Sequence, residues 1–200
     1  MYSILFSRIE IGMDLVKEKI KKMLPENARV AIFPWAFPVE LNAEKLETEF
    51  FKKGERRYNR YINELKKVIK ESDLLLLPGG NPEMFFQKVV HDTDLLYDIK
   101  YYNGIIIGES AGAELQLKRY FITAKNNYYK YFAFYDGFGI LDDPFYFDVH
   151  SSNNKIYLNK LEKVAQQTKK TVYAIYEDGA IIYNRKTKET KVYGNVKKFD

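Results

Sequence analysis

Cysteine is absent from the chain, and histidine occurs only twice among its 200 residues. Without cysteine there is no disulfide framework, no thiolate zinc site, no iron–sulfur centre and no cysteine nucleophile. Two histidines leave little room for a histidine-rich metal site, so we expect neither a metal ion nor a cofactor. If the chain carries a histidine base, that base is His91 or His150.

Long apolar runs are also missing. The longest, residues 74–77 and 105–107, are far shorter than the roughly 20 residues of a membrane-spanning helix. The first ten residues, MYSILFSRIE, lack a basic lead and a small-residue cleavage site, so we expect no signal peptide. These features predict a cytoplasmic protein with no membrane partner.

An excess of positive charge is present but spread out. The formal net charge is +5, and most of the cations are lysines on predicted helix faces with acidic residues between them. The 17 tyrosines and 14 phenylalanines are also scattered, so no aromatic and basic platform for single strands stands out. We therefore expect a solvated lysine-rich surface and no nucleic-acid partner.

The order of predicted elements indicates an α/β fold in one domain, residues 1–200. Strands and helices alternate through the first two-thirds of the chain, which is typical of a mostly parallel sheet with helices on both faces. A C-terminal hairpin adds antiparallel strands at one edge. The predicted strands are residues 2–6, 29–33, 74–77, 104–108, 120–123, 146–150, 171–175, 179–183 and 189–193. The predicted helices are residues 13–24, 43–71, 83–90, 93–101, 111–117 and 155–168, with a loop at 125–135.

The sequence G-E-S-A-G at residues 108–112 directly follows an apolar strand. It has the G-x-S-x-G spacing of a nucleophile elbow, in which a strained strand-to-helix turn lifts a serine hydroxyl out of the sheet. The same turn points the next backbone amide, that of Ala111, at the place where an oxyanion would form. Ser110 is therefore the candidate nucleophile, although a helix-capping serine in a small-residue turn has the same pattern.

A second glycine-rich turn, P-G-G-N-P at residues 78–82, also follows an apolar strand. Glycines at the carboxyl end of a strand let backbone amides approach a ligand. In a parallel sheet both turns lie at the same edge, where they form two walls of one crevice. A purely structural turn remains the alternative, and no phosphate-binding motif is present.

A serine nucleophile needs a base. His91 lies in a predicted helix and is expected on its surface. His150 ends a predicted strand, which places it within reach of Ser110, and the order of serine before histidine occurs among convergent triads. His150 is the candidate base, with a structural role as the alternative.

Four segments together resemble the dipeptidase E and cyanophycinase family of serine peptidases. They are L-P-G-G-N-P, G-E-S-A-G-A, G-F-G-I-L and F-D-V-H, and they occur in the family's order along most of the chain. The resemblance implies a flavodoxin-like, doubly wound, three-layer fold similar to a class I glutamine amidotransferase domain. Characterised relatives cleave dipeptides with an N-terminal aspartate, or the β-aspartyl–arginine polymer cyanophycin.

The resemblance also assigns residues. It makes Ser110 the nucleophile and His150 the base, and it places the oxyanion hole at Gly79, Gly80 and Ala111. Asn81 and Glu109, which adjoin these turns, are the candidates for substrate binding.

One departure concerns the third catalytic residue. The family keeps an acid after the serine, in a segment resembling I-T-P-D, whereas residues 122–127 are I-T-A-K-N-N with Lys125 at the expected place. A charged lysine cannot accept a hydrogen bond from imidazole. Asn126 or Asn127 is then a candidate to orient His150, as is Asp148, which lies two residues before it on the predicted strand; Asp136 and Asp142 are further options.

Two functions follow from these observations. The first is a serine hydrolase that cleaves a short or β-aspartyl-type peptide through Ser110 and His150. The second is a degenerate relative that binds a peptide or small molecule without cleaving it, because Lys125 replaces the acid. The sequence leaves the oligomeric state open, a homo-oligomer included.

Overall fold

The computed structural model describes residues 1–33, 35, 55–123, 129–142 and 144–200, with the backbone alone at 55–62. Lys125, Asn126 and Asn127 lie outside the described residues, as does the first part of the helix predicted at 43–71.

The strands and helices follow the alternation expected from the sequence. The strands are β1 Tyr2–Phe6, β2 Val30–Ile32, β3 Leu74–Leu77, β4 Ile105–Glu109, β5 Arg119–Ile122, β6 Ala133–Asp136, β7 Tyr146–Asp148, β8 Val172–Asn184 and β9 Thr190–Phe199. The helices are α1 Ile9–Gly12, α2 Lys17–Met23, α3 Glu55–Glu71, α4 Pro82–Val90, α5 Thr93–Lys100, α6 Ala111–Glu114 and α7 Lys155–Thr168, with a 3₁₀ turn at Met13–Leu15.

The main sheet has the strand order β2-β3-β4-β1-β8-β7, with β9 also paired to β8. Strands β2, β3, β4 and β1 are parallel, whereas β8 runs antiparallel to both β1 and β9. This confirms the predicted α/β fold, a mostly parallel sheet with a C-terminal antiparallel hairpin.

The central strands β1, β3 and β4 are buried on both faces, which explains their unbroken apolar runs. Successive residues of a strand point to opposite faces. Ile4 and Phe6 of β1 therefore pack with Ile20 of α2 in one apolar cluster. Leu5 lies in the cluster on the other face, with Phe85 of α4.

Several elements differ from the predictions. The helix predicted at 13–24 is split by the 3₁₀ turn, and the one predicted at 111–117 ends at Glu114. Residues 133–136, predicted as loop, form β6, which pairs with β5 in a separate antiparallel ribbon stabilised by stacked aromatic rings. The strands predicted at 171–175 and 179–183 join into β8, with a register shift against β9 between Ile175 and Gly179.

The pairing registers bring several loops to one edge of the sheet. Phe6 at the end of β1 is level with Glu109 at the end of β4 and with Ala180 of the antiparallel β8. The residues that follow Phe6 and Glu109 therefore lie beside those just before Gly179, at this edge of the sheet. The loop after β7 reaches the same edge, where the amide of Ser151 donates to the carbonyl of Ile175 at 3.1 Å.

Candidate active site

Ser110 occupies a sharp turn between β4 and α6. Its backbone has φ 47° and ψ −115°, a conformation that a non-glycine residue rarely adopts and that costs about 1–3 kcal/mol. The turn is held on both sides: the Ser110 amide donates to the Phe6 carbonyl at 2.9 Å, and the Ser110 carbonyl accepts from the first bonded amides of α6. The strain and the strand-to-helix setting are those expected for the predicted nucleophile elbow.

The two glycines of the elbow are required by close packing. A Cβ added to Gly112 would collide with the backbone of Leu77 in β3, and one added to Gly108 would lie 2.6 Å from the Cα of Ala113. Any side chain at these positions would push α6 away from the sheet. The spacing of glycines around Ser110 therefore has a steric cause.

His150 contacts the candidate nucleophile directly. Its Nε2 lies 2.8 Å from the Oγ of Ser110. His150 follows β7 by two residues and has φ 51°, so it is not on the strand as predicted but in a turn beyond it. His91, by contrast, is exposed at the C-cap of α4, as expected for a surface histidine.

A carboxylate that sequence reasoning missed lies on the other side of the ring. The Oε1 and Oε2 atoms of Glu177 are 3.0 and 3.2 Å from Nδ1 of His150. Glu177 sits in β8 at the register shift between Ile175 and Gly179, and its Oε2 is also 3.4 Å from Nε of Arg8. The signal in the sequence is the break between two predicted strands, a place where a bulge re-aims a side chain.

Asp148 has different partners from those expected of an orienting acid. Its Oδ2 accepts hydrogen bonds from Thr123 Oγ1 at 3.1 Å and from the Tyr157 hydroxyl at 2.7 Å. Residues two apart on a strand share a face, but β7 ends at Asp148 and the positive φ of His150 breaks the alternation, so Asp148 and His150 do not share one. Burial, followed by the nearby Asp148 charge, raises the pKa of Tyr157 well above its ordinary value, so its hydroxyl stays a donor.

The two glycine-containing turns meet at the serine. A Cβ added to Gly79 would lie 3.2 Å from the Cβ of Ser110, and Gly80 has φ 127°. The amide of Ala111 is in the first turn of α6, where backbone donors have no partner within the helix. Both walls of the predicted crevice are thus beside the Ser110 side chain.

The two predicted substrate-binding residues have structural contacts. Asn81 caps α4, its side chain accepting from the amide of Met84 at 2.9 Å. Glu109 accepts from the amide of Ile9 at 3.2 Å through its Oε1. Both side chains tie a loop of the crevice to a neighbouring element.

A pocket of about 390 Å³ opens beside the His150 ring. Its walls come from the end of β5, from the loop after His150 and from the first turns of α7. The lining residues are Thr123, His150, Ser152, Asn154, Ile156, Tyr157 and Lys160. The pocket therefore offers hydroxyl and amide groups, an apolar wall and one ammonium group within reach of the candidate base.

Within the residues that the structure describes, no group of three or more histidine, aspartate or glutamate side chains is arranged to hold a metal ion. None of the described helices combines the length and apolarity needed to cross a membrane.

Comparison of structures finds the same fold in bacterial peptidases. A candidate peptidase E protein from Listeria monocytogenes EGD-e superposes with a TM-score of 0.60 at 19% identity, over 96% of this chain and 97% of that one. A peptidase from an acI-B1 Actinobacterium gives 0.57 at 17% identity, over 97% of this chain and 87% of that one. No curated protein matches the chain.

Comparison of sequence families gives a more specific result. The profile of peptidase family S51 matches residues 13–191, which is most of the chain. The resemblance noted from the four sequence motifs is thereby confirmed, and it supports a peptidase. The chain belongs to peptidase family S51.

Proposed function

We propose that the chain is a serine peptidase in which Ser110 is the nucleophile, His150 the general base and Glu177 the residue that orients the base. One observation carries the proposal: an unbroken series of hydrogen-bond contacts runs from the Ser110 hydroxyl through both nitrogens of the His150 ring to the Glu177 carboxylate. These distances lie within the range of a nucleophile and base ready to exchange a proton.

The contacts define the state of the ring before reaction. Glu177 accepts a hydrogen bond, so the ring hydrogen belongs on Nδ1 and leaves Nε2 free to accept the proton of Ser110. When the ring takes that proton it becomes a cation, and the Glu177 carboxylate stabilises the charge. In this proposal Glu177 is the orienting acid, in place of the acid that the family resemblance led us to expect at the position of Lys125.

Peptide cleavage then proceeds in two halves. Ser110 Oγ forms a bond to the scissile carbonyl carbon as its proton passes to His150 Nε2. The carbon–nitrogen bond breaks, and His150 gives the proton to the leaving amine. Water next attacks the acyl-serine with His150 as base, the acyl–oxygen bond breaks, and the proton returns to Ser110.

The negative charge of the tetrahedral intermediate needs fixed donors. The amides of Gly80 and Ala111 are the candidates, with Gly79 allowing its turn to approach Ser110 closely. Each such donor typically contributes about 3 kcal/mol to the lowering of the barrier. The strained backbone of Ser110 is consistent with donors that are aligned before substrate arrives.

The pocket beside His150 is the proposed substrate site. Its volume of about 390 Å³ suits a short peptide segment, and Lys160 supplies a positive charge at its wall. A substrate with a carboxylate side chain, such as an aspartyl or β-aspartyl peptide, would be paired there. Lys125, the other lysine considered from the sequence, lies outside the described residues.

Labelling with a fluorophosphonate probe tests the nucleophile. The wild-type protein should label and Ser110→Ala should not. Ser72→Ala is the matched control because Ser72 bonds the Val68 carbonyl on a remote helix, and it should label as wild type does. A wild-type protein that stays unlabelled across the pH range in which it is folded would reject the serine mechanism.

A pair of dipeptides tests the substrate class. Turnover of Asp-Ala should exceed that of Asn-Ala, which has the same shape without the charge. Lys160→Met should raise KM for Asp-Ala and leave KM for Asn-Ala nearly unchanged. Equal turnover of both dipeptides would contradict the proposal that Lys160 selects substrates with a carboxylate side chain.

The alternative of a chain that binds without cleaving depended on Lys125 in place of an acid. That reason loses its force because a carboxylate contacts His150 from position 177. The labelling experiment separates the two functions, since a binding module has no need of an activated serine.

A further inference from the structure

Residues 6–9, which leave the end of β1, contact Ser110, His150, Glu177 and Glu109. The four contacts are made, in that order, by the carbonyl of Phe6, the hydroxyl of Ser7, the guanidinium of Arg8 and the amide of Ile9. Neither Ser7 nor Arg8 stands out in the sequence by motif or spacing. The pairing register explains the convergence, since Phe6 pairs with Glu109 at the end of β4 and with Ala180 of β8.

Ser7 holds the backbone of the candidate base. Its side chain is fully buried, and its hydroxyl accepts from the amide of His150 at 3.0 Å while donating to the carbonyl of Ile175 at 2.7 Å. His150 has φ 51°, a conformation that a non-glycine residue keeps only when its surroundings enforce it. The Ser7 hydroxyl therefore ties the strained His150 turn to β8, the strand that carries Glu177.

Arg8 holds the candidate acid. Its Nε lies 3.4 Å from Oε2 of Glu177, and the same carboxylate faces Nδ1 of His150. The cation restrains the carboxylate and offsets part of its negative charge. Both effects reach the His150 ring through Glu177, not by direct contact.

We propose that Ser7 and Arg8 are positioning residues of the site, Ser7 fixing the His150 backbone and Arg8 fixing and partly neutralising Glu177. The inference rests on the proposed function, because it concerns the orientation of that base and that acid. Neither residue lines the proposed substrate pocket, so their loss should affect the chemical step more than binding.

Ser7→Ala tests the first half. We expect kcat to fall about tenfold or more with KM within a factor of three, because a displaced base changes the transition state more than substrate binding. Ser3→Ala is the matched control: Ser3 lies in β1, four residues before Ser7, is fully buried, and its hydroxyl has no hydrogen-bond partner among the described residues. Equal kcat values for the two variants would overturn the role of Ser7.

Protein stability separates positioning from unfolding. Urea unfolding of both serine variants shows whether Ser7→Ala is folded at the assay temperature. If the folded fraction is complete and kcat is still reduced, the loss belongs to the site. A fall in activity that follows only the unfolded fraction would contradict positioning by Ser7.

Arg8→Gln tests the second half through the pH profile. Without the cation, Glu177 acts more fully on the His150 imidazolium, so the acid limb of kcat/KM should move to higher pH, and the movement should shrink as salt is added. Arg8→Lys keeps the positive charge and should move the acid limb less than Arg8→Gln does. Among the residues that the structure describes, the other charged or titratable groups near His150 include Ser110 at the elbow, Glu109 beside it, Asp148 before it, and Tyr157 and Lys160 across the pocket.

Arg29→Gln is the matched control for charge. Arg29 forms an exposed ion pair with Glu71 at the same 3.4 Å, on α3 and away from the site. It should leave the acid limb in place. An Arg8→Gln profile that coincides with that of Arg29→Gln would overturn the role of Arg8.

Nuclear magnetic resonance of the histidine rings gives a readout that does not need turnover. The protein has two histidines, and exposed His91 serves as the internal reference. At one fixed pH, the signal of the ring proton between His150 Nδ1 and Glu177 should move in Arg8→Gln, while the ring signals of His91 stay fixed. If the His150 signal moves in protein that the fluorophosphonate probe does not label, the Arg8 contact is supported and the proposed function is rejected. If the protein labels but the signal does not move, the proposed function is supported and the role of Arg8 is rejected.

Discussion

Two carboxylates lie close to His150, and their surroundings are opposite. Glu177 is about half exposed, on a bulged strand, and its partners are the His150 ring and Arg8. Asp148 is 1% exposed, and its partners are the hydroxyls of Thr123 and Tyr157. The acid nearest to His150 in sequence is thus held inside the protein, whereas the more distant one faces the ring.

The difference shows what each environment does for a carboxylate. The buried acid needs fixed donors, because an unpaired charge in the interior is very costly. Its network joins β5, β7 and α7 and so builds a wall of the pocket. The half-exposed acid keeps water on one side, so its charge remains available when the neighbouring ring becomes positive.

Glu177→Gln should have the largest effect on activity and little effect on stability. The amide keeps the size but loses the charge and can hold the wrong ring tautomer, so kcat should fall about 10³–10⁴-fold, as in other serine triads. Asp178→Asn, the adjacent exposed residue, is the matched control. Steady-state kinetics and urea unfolding on both variants check this, and a loss in kcat below tenfold would remove Glu177 from the proposed triad.

The fold could be predicted from the sequence because its signals are local. Continuous apolar runs gave β3 and β4 within one residue, and the periodicity of α7 gave its bounds at both ends. The ribbon strand β6 was missed because its residues, A-F-Y-D, follow a polar and aromatic stretch with no clear alternation. Its stability comes from ring contacts with β5 and β7, which no local pattern reveals.

The site was predictable only in part, for a physical reason. Ser110 and the glycines around it form a local motif whose steric cause is contained in the motif itself. The partners of His150 depend on pairing between strands distant in sequence, and on a register shift that points Glu177 toward the ring. Asp148 was one of several candidates because of its proximity along the chain, and its candidacy assumed that the strand continued through His150.

Asp148→Asn should reverse the pattern expected for Glu177→Gln. Removing a buried charge that accepts two hydroxyl donors should lower the free energy of unfolding by about 2–3 kcal/mol. We expect kcat of the folded protein to fall by less than tenfold, since the ring contacts of Glu177 remain. Urea unfolding and kinetics at low temperature measure the two effects, and a loss of kcat as large as in Glu177→Gln would erase the distinction between the acids.

Tyr157→Phe should give the smallest effect and a specific dependence on pH. Near neutrality the lost hydrogen bond to the Asp148 carboxylate should cost about 1.5 kcal/mol, because Thr123 still donates to it. Burial raises the pKa of Tyr157 in the folded protein above its ordinary value of 10.0. The folded state therefore holds this proton more tightly than the unfolded state, so its contribution is complete below about pH 10 and is lost as the pH rises above it.

The variant should lose stability less steeply than wild type above pH 10 in urea titrations. The same titration on Tyr131→Phe, whose side chain is 79% exposed, should parallel wild type. If Tyr157→Phe also paralleled wild type, the Tyr157 hydroxyl would not be the buried donor to Asp148 that the structure indicates.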